Sequence, residues 1–408
     1  MEIQNATLAS LSVDGRGSYG IGASAVERSE DLYTYLRITD IRDDGTLNMA
    51  DLKSVDDEKA SQYLLKPNDI VFARTGASTG RNYFYDGTDG EFVYAGFLIK
   101  FSIDPQKVNP KYVKYYCMSD AYKGWIHSFN TGSTRGNINA QTLGGMPIPL
   151  PPRQQQDGIV ELLSSLDNKI RKNTEVNENL EEQALALYRQ FFIDFAPYGG
   201  VAPSDWTEVA LDDVCTRITD GSHYSPADAP DSPYPMYSVK DMETYGFISS
   251  SCKHISEEDF RKMQKGDCVP LLNDILVAKD GSYLKEIFIC SEEKDEAILS
   301  SIAIFRPDTN IIMPEILLYL LKQPSVRQDV GDNYVSGSAL PRIVLKDFKK
   351  YRFMLPPMDE QLKIGSVLHA IRMQIKANID EILCLSSTRD ALLPRLMSGE
   401  LNVSDLDL

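Results

Sequence analysis

Two glycine-containing turns, each following a short apolar strand, carry side chains that could hold a nucleic acid. A strand that stops at a glycine turn presents the neighbouring basic and hydroxyl side chains outward, where Arg or Lys can grip a phosphate or a guanine. The alternative is that these are ordinary solvated turn residues. The candidate residues are Arg74, Thr75, Ser78 and Arg81 in the first turn, and Lys279, Ser282, Tyr283 and Lys285 in the second.

Two further pairs of polar segments recur at matched places. Small residues in segments 131–137 and 336–342 permit close backbone approach, and asparagine can pair with adenine. The Asp-Gly turn at Asp14 is matched with the one at Asp220, although Asp-Gly often marks a simple turn. A plain linker into the following helix is the alternative for the first pair. The candidate DNA-contacting residues are Arg135, Asn137, Asn139, Ser338 and Arg342 in the first pair, and Arg16, Tyr19, His223 and Tyr224 in the second.

Motifs that would mark an ATPase or an amino-methyltransferase are absent from the sequence. The glycine-rich stretch 76–81 has neither the spacing nor the lysine of a phosphate-binding loop. The Pro-Pro pairs occur as Leu-Pro-Pro-Arg at 150–153 and Leu-Pro-Pro-Met at 355–358, without the preceding Asn or Asp and the following aromatic of a methyl-transfer motif. The sequence therefore predicts neither ATP hydrolysis nor methyl transfer by this chain.

Metal and nucleophile sites are equally poorly supported. Asp274 with Glu292 and Lys294 could form the carboxylate set of a nuclease, but the first half of the chain lacks a counterpart. Cys252 and His254 form a lone Cys-x-His, which is weaker than a zinc-binding pattern. We therefore expect no metal site and no catalytic residue.

The charge balance is strongly acidic, with 42 Lys and Arg against 59 Asp and Glu and a formal net charge of −17. Taken alone, this argues against a nucleic-acid binder, because phosphate attraction needs basic side chains. A domain that reads base edges, however, needs only a local basic and polar face. The six cysteines form no CxxC pair, and no signal or membrane-spanning segment is apparent, so a reduced cytoplasmic protein is expected.

The chain contains a long internal repeat, mostly at an offset of 205 residues and at 201 further upstream. Each copy reads as a β-rich segment with Gly, Asn and Asp turns, followed by a long helix that a Pro-Pro pair opens. Duplication of a whole domain with its helix predicts a pseudo-twofold molecule. The recurring residues are Asp69 and Asp274, Gly76 and Gly281, Ile138 and Ile343, Gln156 and Gln361, and, at the shorter offset, Asp40 and Asp241.

Both long helices carry residues at alternating spacings of four and three, the pattern of a coiled-coil seam. The seams span 159–191 and 364–396 in the same register, and each has an asparagine at the same core position, Asn173 and Asn378. A buried asparagine fixes the register of such a seam. For either helix alone, the alternative is an amphipathic helix lying on its own domain. Mutual pairing about a pseudo-twofold axis predicts an antiparallel coiled coil.

The helix ends and one turn together resemble a known family. Segments 187–197 and 392–401, the Pro-Pro-x-x-x-Gln helix openings and segment 218–226 are similar to specificity subunits of type I restriction-modification systems. The resemblance implies an α+β fold, with two β-rich mixed α/β target recognition domains separated by two helices that form an antiparallel coiled coil. The implied parts are a first recognition domain at 1–152, a central helix at 153–198, a second recognition domain at 199–357, a C-terminal helix at 358–398 and an acidic tail at 399–408.

The resemblance also implies a function in phage defence. Each domain would read one half of a split double-stranded DNA site, while the helices would set the spacer and recruit two methyltransferase subunits. A restriction and translocase subunit would complete the nuclease, with S-adenosylmethionine, ATP and Mg²⁺ bound only by the partners and no catalysis by this chain. The first domain departs from the family pattern, because it begins abruptly and lacks the fuller Asp-Gly-x-His loop of the second. The competing prediction is a DNA-independent scaffold with two binding modules on a coiled-coil rod.

Overall fold

The structure of the protein is a computed structural model. It describes residues 4–129, 137–249, 252–337 and 339–403. Two of the candidate DNA-contacting residues, Arg135 and Ser338, lie outside this part of the chain. Within the described ranges, no helix is both long and apolar enough to cross a lipid bilayer.

The chain forms two compact units whose boundaries fall inside the two long helices. The first unit contains residues 1–172 and 381–408, and the second contains residues 173–380. Each unit therefore combines one sheet-containing domain with a part of both long helices.

The first half of the chain consists of short strands and short helices followed by one helix of 40 residues. Asparagine and serine side chains cap the short helices, as at Asn109, Ser119 and Asn139. The elements are β1 (Gln4–Thr7), β2 (Ser18–Tyr19), β3 (Ala25–Val26), β4 (Thr34–Leu36), β5 (Lys53–Val55), β6 (Asp69–Ala73), β7 (Asn82–Tyr85), β8 (Phe92–Tyr94), β9 (Leu98–Ser102), β10 (Pro147–Leu150), α1 (Pro110–Tyr116), α2 (Asp120–His127), α3 (Ala140–Gly144) and α4 (Arg153–Phe192).

Three sheets organise the domain of the first unit. One has the strand order β2-β9-β6-β7, and a second has the order β3-β5-β4-β8, in which β4 and β8 are parallel. The third pairs β1 with β10, which joins the two ends of the domain. Strand β6 is buried along its whole length, and Phe72 on this strand packs edge-to-face on Phe101 at 6.1 Å. A strand covered on both faces reads as a continuous apolar run, which is why this segment stands out in the sequence.

The second half of the chain repeats this arrangement and ends in another helix of 40 residues. Its elements are β11 (Thr207–Ala210), β12 (Cys215–Asp220), β13 (Tyr234–Tyr237), β14 (Met242–Glu243), β15 (Gly246–Phe247), β16 (Lys253–Ile255), β17 (Ile275–Ala278), β18 (Ile287–Ile289), β19 (Ala297–Ile298), β20 (Ile302–Pro307), β21 (Val335–Ser336), β22 (Arg342–Ile343), β23 (Arg352–Leu355), α5 (Leu211–Val214), α6 (Glu257–Lys265), α7 (Pro314–Leu321), α8 (Pro324–Asn333), α9 (Leu345–Phe348) and α10 (Met358–Met397).

The sheets of the second unit follow the plan of the first. The order β12-β20-β17-β18 repeats β2-β9-β6-β7, the sheet β16-β13-β19 again has one parallel pair, and β11 pairs with β23 as β1 pairs with β10. The mixture of helices and sheets in two repeated domains confirms the α+β prediction.

A buried glutamine holds the start of each long helix to its own domain. The Gln156 side-chain oxygen accepts a hydrogen bond from the Asn109 N–H at 3.0 Å, and its amide donates to the first carbonyl of the Pro-Pro pair. Gln361 repeats both contacts, with the Met313 N–H as its donor at 3.0 Å. The repeated Pro-Pro-x-x-x-Gln pattern is thus a structural joint between helix and domain.

In the first unit, α4 and α10 are joined by two ion pairs. Asp167 lies 3.2 Å from Arg389, and Lys169 lies 3.4 Å from Glu381, so residue numbers rise along one helix as they fall along the other. Burial acts to raise the pKa of Asp167, but Lys114 and the other donors around it outweigh this effect and lower the pKa. The carboxylate therefore stays ionised and holds the two helices to the domain.

In the second unit, the two helices share a buried amide pair. Asn173 and Asn378 are both buried, and Asn378 Nδ2 donates a hydrogen bond to Asn177 Oδ1 at 2.7 Å. Asn378 is the counterpart of Asn173 in the internal repeat. Because the residue numbers run in opposite directions along the two helices, the counterpart in the repeat is not the residue that Asn378 contacts. The partner of Asn378 is therefore one turn further along α4.

The Asn177 and Asn378 pair gives a prediction about stability. Replacing only one of them by leucine should destabilise the protein by about 1–3 kcal/mol, because the remaining buried amide loses its partner. Replacing both should raise the melting temperature above that of either single variant and of the parent, since a buried polar pair lowers the stability of an apolar seam. Thermal unfolding followed by circular dichroism measures this, with Val176→Ala on an exposed position of α4 as the control. A double variant that melts below both single variants would contradict the expectation.

Candidate nucleic-acid interface

The turn after β6 begins with Arg74, which is half-buried. Two glycines with positive φ, Gly76 at +75° and Gly80 at +91°, fold the chain back so that the Gly80 N–H donates to Ala73 O at 2.9 Å. The buried Tyr122 hydroxyl donates to the Gly80 carbonyl at 2.5 Å and fixes the turn from below. Arg74 therefore begins a rigid turn at the end of a buried strand.

The Arg74 guanidinium lies over two aromatic rings. Its Cζ is 5.1 Å from the centre of the Tyr19 ring and 6.0 Å from that of Phe97. Its Nε is buried and has no hydrogen-bond partner, and no ion pair with a carboxylate is found among the described residues. Aromatic faces attract a cation but accept none of its directional N–H bonds. This arginine is therefore oriented and available for an acceptor from outside the chain.

Parts of the three predicted loops of the first domain meet at this arginine. Thr75 forms an antiparallel bridge with Asn137, and the Ile138 N–H donates to the Arg74 carbonyl at 2.9 Å. The Tyr19 hydroxyl accepts a hydrogen bond from the Ala140 N–H at 3.1 Å. Sequence segments more than a hundred residues apart are thus brought to one surface.

The remaining candidates of the first domain have more varied surroundings. Arg81 is ion-paired with Asp43 at 2.6 Å, so its charge is already neutralised within the domain. The Asn139 side chain accepts from the Thr142 N–H at 2.8 Å and caps α3. Ser78 is half-buried in the turn. Arg16 lines a cavity of about 420 Å³ together with Ala140, Gln141, Gly144 and Gly145.

Phe97 is a functional candidate that the sequence did not single out. It is 57% exposed, although large aromatic side chains are usually buried, and it follows Gly96 in the turn between β8 and β9. The Phe97 carbonyl accepts a hydrogen bond from the Arg74 N–H at 3.1 Å, which fixes the ring beside the guanidinium. An aromatic residue next to glycine in a short turn is the signal that could have identified it.

Two glycines show which residues of the two domains are equivalent. A Cβ on Gly20 would lie 2.2 Å from the Tyr94 carbonyl oxygen, and a Cβ on Gly221 would lie 2.3 Å from that of Ile298. No other residue fits this close approach to a neighbouring strand, so the two positions are structural equivalents.

The residues before these glycines are therefore also equivalent. Tyr19 lies opposite Ile99 on β9, as Asp220 lies opposite Ala303 on β20. Matching the Asp14 turn with the Asp220 turn is wrong, because the shorter offset of 201 residues applies in this part of the chain. The counterpart of the Tyr19 ring is the Asp220 carboxylate.

This exchange changes the role of Lys279, the counterpart of Arg74. Lys279 is only 4% exposed, and its Nζ lies 2.6 Å from Asp220 Oδ2. The prediction that Lys279 is presented outward is wrong, because the Asp220 carboxylate holds the ammonium group inside the domain. The two domains thus differ chemically at the same structural position.

The other candidates of the second domain lie on its surface to different extents. Arg342 is half-exposed and lies 3.0 Å from Asp280 Oδ1 through its Nε. Tyr283 is half-buried, and its hydroxyl fills the space that a side chain at Gly331 would need. The exposed residues are Ser282, Lys285 beside Glu286, His223 and Tyr224.

The described residues offer little for catalysis. Asp274 is fully buried, and its oxygens accept from Arg306 Nε and Nη2 at 2.8 Å each, so this carboxylate is committed to a salt bridge. Burial raises the pKa of the Cys215 thiol to about 12 and also raises that of Cys290, so both thiols stay protonated and weakly nucleophilic. No group of three or more His, Cys, Asp or Glu side chains is placed to hold a metal ion within the described ranges.

Comparison with known proteins finds a matching family and several relatives. Residues 27–182 and 203–383 each match the family described as the type I restriction modification DNA specificity domain. The chain is 25% identical over 314 residues to the MjaIX specificity subunit of a type I restriction enzyme from Methanocaldococcus jannaschii, covering 72% of this chain and 70% of that one. It is 22% identical over 408 residues to the HindI specificity subunit from Haemophilus influenzae, covering 83% and 87% respectively.

A solved structure has the same fold. The type I restriction-modification S subunit from M. genitalium superposes with a TM-score of 0.58 at 16% identity, covering 97% of this chain and 96% of that one. The two family matches together span most of the chain, with one match in each half. The chain therefore belongs to the family of type I restriction-modification DNA specificity subunits.

Proposed function

We propose that each domain reads one half of a bipartite double-stranded DNA site. The observation that carries this proposal is the Arg74 guanidinium, which is held over Tyr19 and Phe97 without an acidic partner among the described residues. Although the chain has a net charge of −17, an oriented cation without a carboxylate fits the acceptors of a DNA groove. The family match favours DNA recognition over a DNA-independent scaffold.

The long helices are proposed to form an antiparallel coiled coil that sets the spacer between the two half-sites. Support comes from the ion pairs of Asp167 and Lys169 with α10, the amide pair at Asn177, and the matched glutamines at the helix starts. Every seam position predicted from the sequence is buried or half-buried. The glutamine contact, which both helix starts repeat, favours a pseudo-twofold arrangement.

The chain is proposed to contribute recognition, while partner subunits contribute chemistry. Its relatives are named as specificity subunits of restriction enzymes, which implies other subunits for the remaining tasks. Two methyltransferase subunits that use S-adenosylmethionine would dock on the helices, and restriction and translocase subunits that use ATP and Mg²⁺ would complete the nuclease. In such a complex the partners supply additional phosphate contacts, so we expect the isolated acidic chain to bind DNA weakly.

The test is to map DNA methylation that depends on this chain. The chain is co-expressed with the type I methyltransferase subunit of its source organism in a host that lacks other methylation systems, and methylated bases are located by sequencing the host genome. We expect one bipartite motif with a fixed spacer, present only when both proteins are produced. Absence of methylation from a purified, assembled complex, or a motif without a spacer, would contradict the proposal.

A further inference from the structure

Four charged side chains form a line in the second domain, with two buried residues between two that are at least partly exposed. The Lys279 Nζ lies 2.6 Å from Asp220 Oδ2 and 3.9 Å from Asp280 Oδ1. Asp280 Oδ1 lies in turn 3.0 Å from the Arg342 Nε. Lys279 is buried and Asp280 nearly so, whereas the Arg342 side chain is 54% exposed. The charges alternate in sign along the line; the two central residues are buried, Asp220 is partly exposed and Arg342 is the most exposed.

The first domain has no such line at the equivalent positions. The bridge between Asp280 and Arg342 corresponds to the bridge between Thr75 and Asn137, where both side chains are neutral. In the first domain the available guanidinium is that of Arg74, in the turn after the buried strand. In the second domain it is that of Arg342, on the segment that pairs with the equivalent turn. Sequence similarity indicates Lys279 as the counterpart of Arg74, but this lysine is buried in the second domain.

The contact with Asp280 leaves the outer edge of the Arg342 guanidinium free. Its Nε lies 3.0 Å from Asp280 Oδ1 as an ion pair without a hydrogen bond, and its two Nη groups have no hydrogen-bond partner among the described residues. The attraction of the carboxylate keeps the guanidinium beside Asp280, and its two Nη groups remain as a pair of donors for an acceptor outside the chain. Such a pair matches the O6 and N7 acceptors at the major-groove edge of guanine.

We propose that Arg342 reads a guanine in the half-site of the second domain, with Asp280 as its positioning residue. Lys279 acts behind them, by holding Asp280 in place, and does not contact DNA. This inference rests on the proposed function, because it assumes that the domain binds DNA at this surface. A phosphate contact by Arg342 is disfavoured, since the Asp280 carboxylate beside the guanidinium would repel a phosphate close to it, whereas a base edge carries no net charge.

The experiment compares variants within the assembled complex of this chain and its methyltransferase. The parent complex first defines the bipartite methylation motif on host genomic DNA, and the same mapping is repeated for Arg342→Lys, Arg342→Gln and Asp280→Asn. For a guanine contact, Arg342→Gln should reduce discrimination at a single G·C pair by about tenfold or more, with the other half-site unchanged. Asp280→Asn should relax the same pair to a smaller extent, because the guanidinium is kept but no longer fixed.

Arg342→Lys separates base reading from general attraction to DNA. It keeps the positive charge on an exposed position, so the fold is not at risk, but it loses the paired donors and should relax the same base pair. Arg261→Gln is the matched control, because this arginine is similarly exposed and ion-paired, with Glu257 on α6 at 3.5 Å, and is expected to leave base preference unchanged. Thermal unfolding checks that each variant is folded, which matters most for Asp280→Asn.

The possible outcomes are distinguishable. If the parent complex yields no bipartite motif, the proposed function fails. If the parent motif is clear but Arg342 variants weaken methylation equally at all sequences, Arg342 contacts phosphate and the inference is overturned. Unchanged base preference in both Arg342→Lys and Arg342→Gln would overturn it as well. Relaxation by Arg342 variants but not by a folded Asp280→Asn variant would remove the positioning role from Asp280.

Discussion

Replacing Arg74 with alanine should relax recognition of one half-site while leaving the other intact. The guanidinium over Tyr19 and Phe97 has no acidic partner among the described residues, so its removal costs the domain little stability. If it contacts a base, the loss should be about 1–3 kcal/mol, or about 5- to 150-fold in discrimination at that position. Methylation mapping with the assembled complex shows which base pair is affected.

The equivalent residue of the second domain provides the contrast. Lys279→Met should lower the melting temperature, because it leaves the Asp220 carboxylate without its buried partner. Arg81→Ala on the first domain tests whether any arginine of the turn would serve, since Arg81 is already paired with Asp43. A result in which Arg74→Ala and Arg81→Ala weakened all sequences to the same extent would reduce both to phosphate contacts.

Lengthening both helices by one heptad should move the two half-sites apart. Seven residues add about 10 Å of helix, which corresponds to about 3 base pairs at 3.4 Å per step. Because Asn177 pairs with Asn378, the insertion after Asn177 in α4 must be matched by one directly before Asn378 in α10. Placing the second insertion at Ile382, as the repeat offset would suggest, would separate the two asparagines. The mapped motif should keep both half-site sequences and gain about 3 base pairs of spacer.

Two further variants control the helix experiment. A heptad inserted in α4 alone should misalign the Asn177 pair and lower the melting temperature, while three residues in each helix should rotate the seam and expose its leucines and isoleucines. A folded, methylating double-heptad variant with the parent spacer would show that the helices do not set the distance.

The parts of the structure that depend on local periodicity were predictable from the sequence. The 4-3 spacing and the Pro-Pro pairs locate α4 and α10, because helix period and proline placement are local properties. The turn at Arg74 could also be located, since a buried strand ending in glycines leaves a clear pattern.

The parts that depend on three-dimensional neighbours were not predictable in the same way. Asp220 and Tyr19 occupy one position, but the copies differ in length nearby, so the Asp-Gly similarity to Asp14 was misleading. Lys279 looks like Arg74 in the sequence, and only the carboxylate next to it in space decides that it is buried. The partner of Asn378 likewise depends on the direction in which two helices meet.

The exchange of the Tyr19 ring for the Asp220 carboxylate has a consequence for the order of bases on the DNA. Equivalent surfaces with equal chemistry would read the same bases on opposite strands, and the whole site would then be a palindrome. In the first domain Arg74 lies over an aromatic ring, whereas in the second domain the equivalent Lys279 is buried in an ion pair with Asp220. The two half-sites should therefore differ in sequence, so that the complex can sit on a given site in only one of its two orientations and give each site a direction along the chromosome.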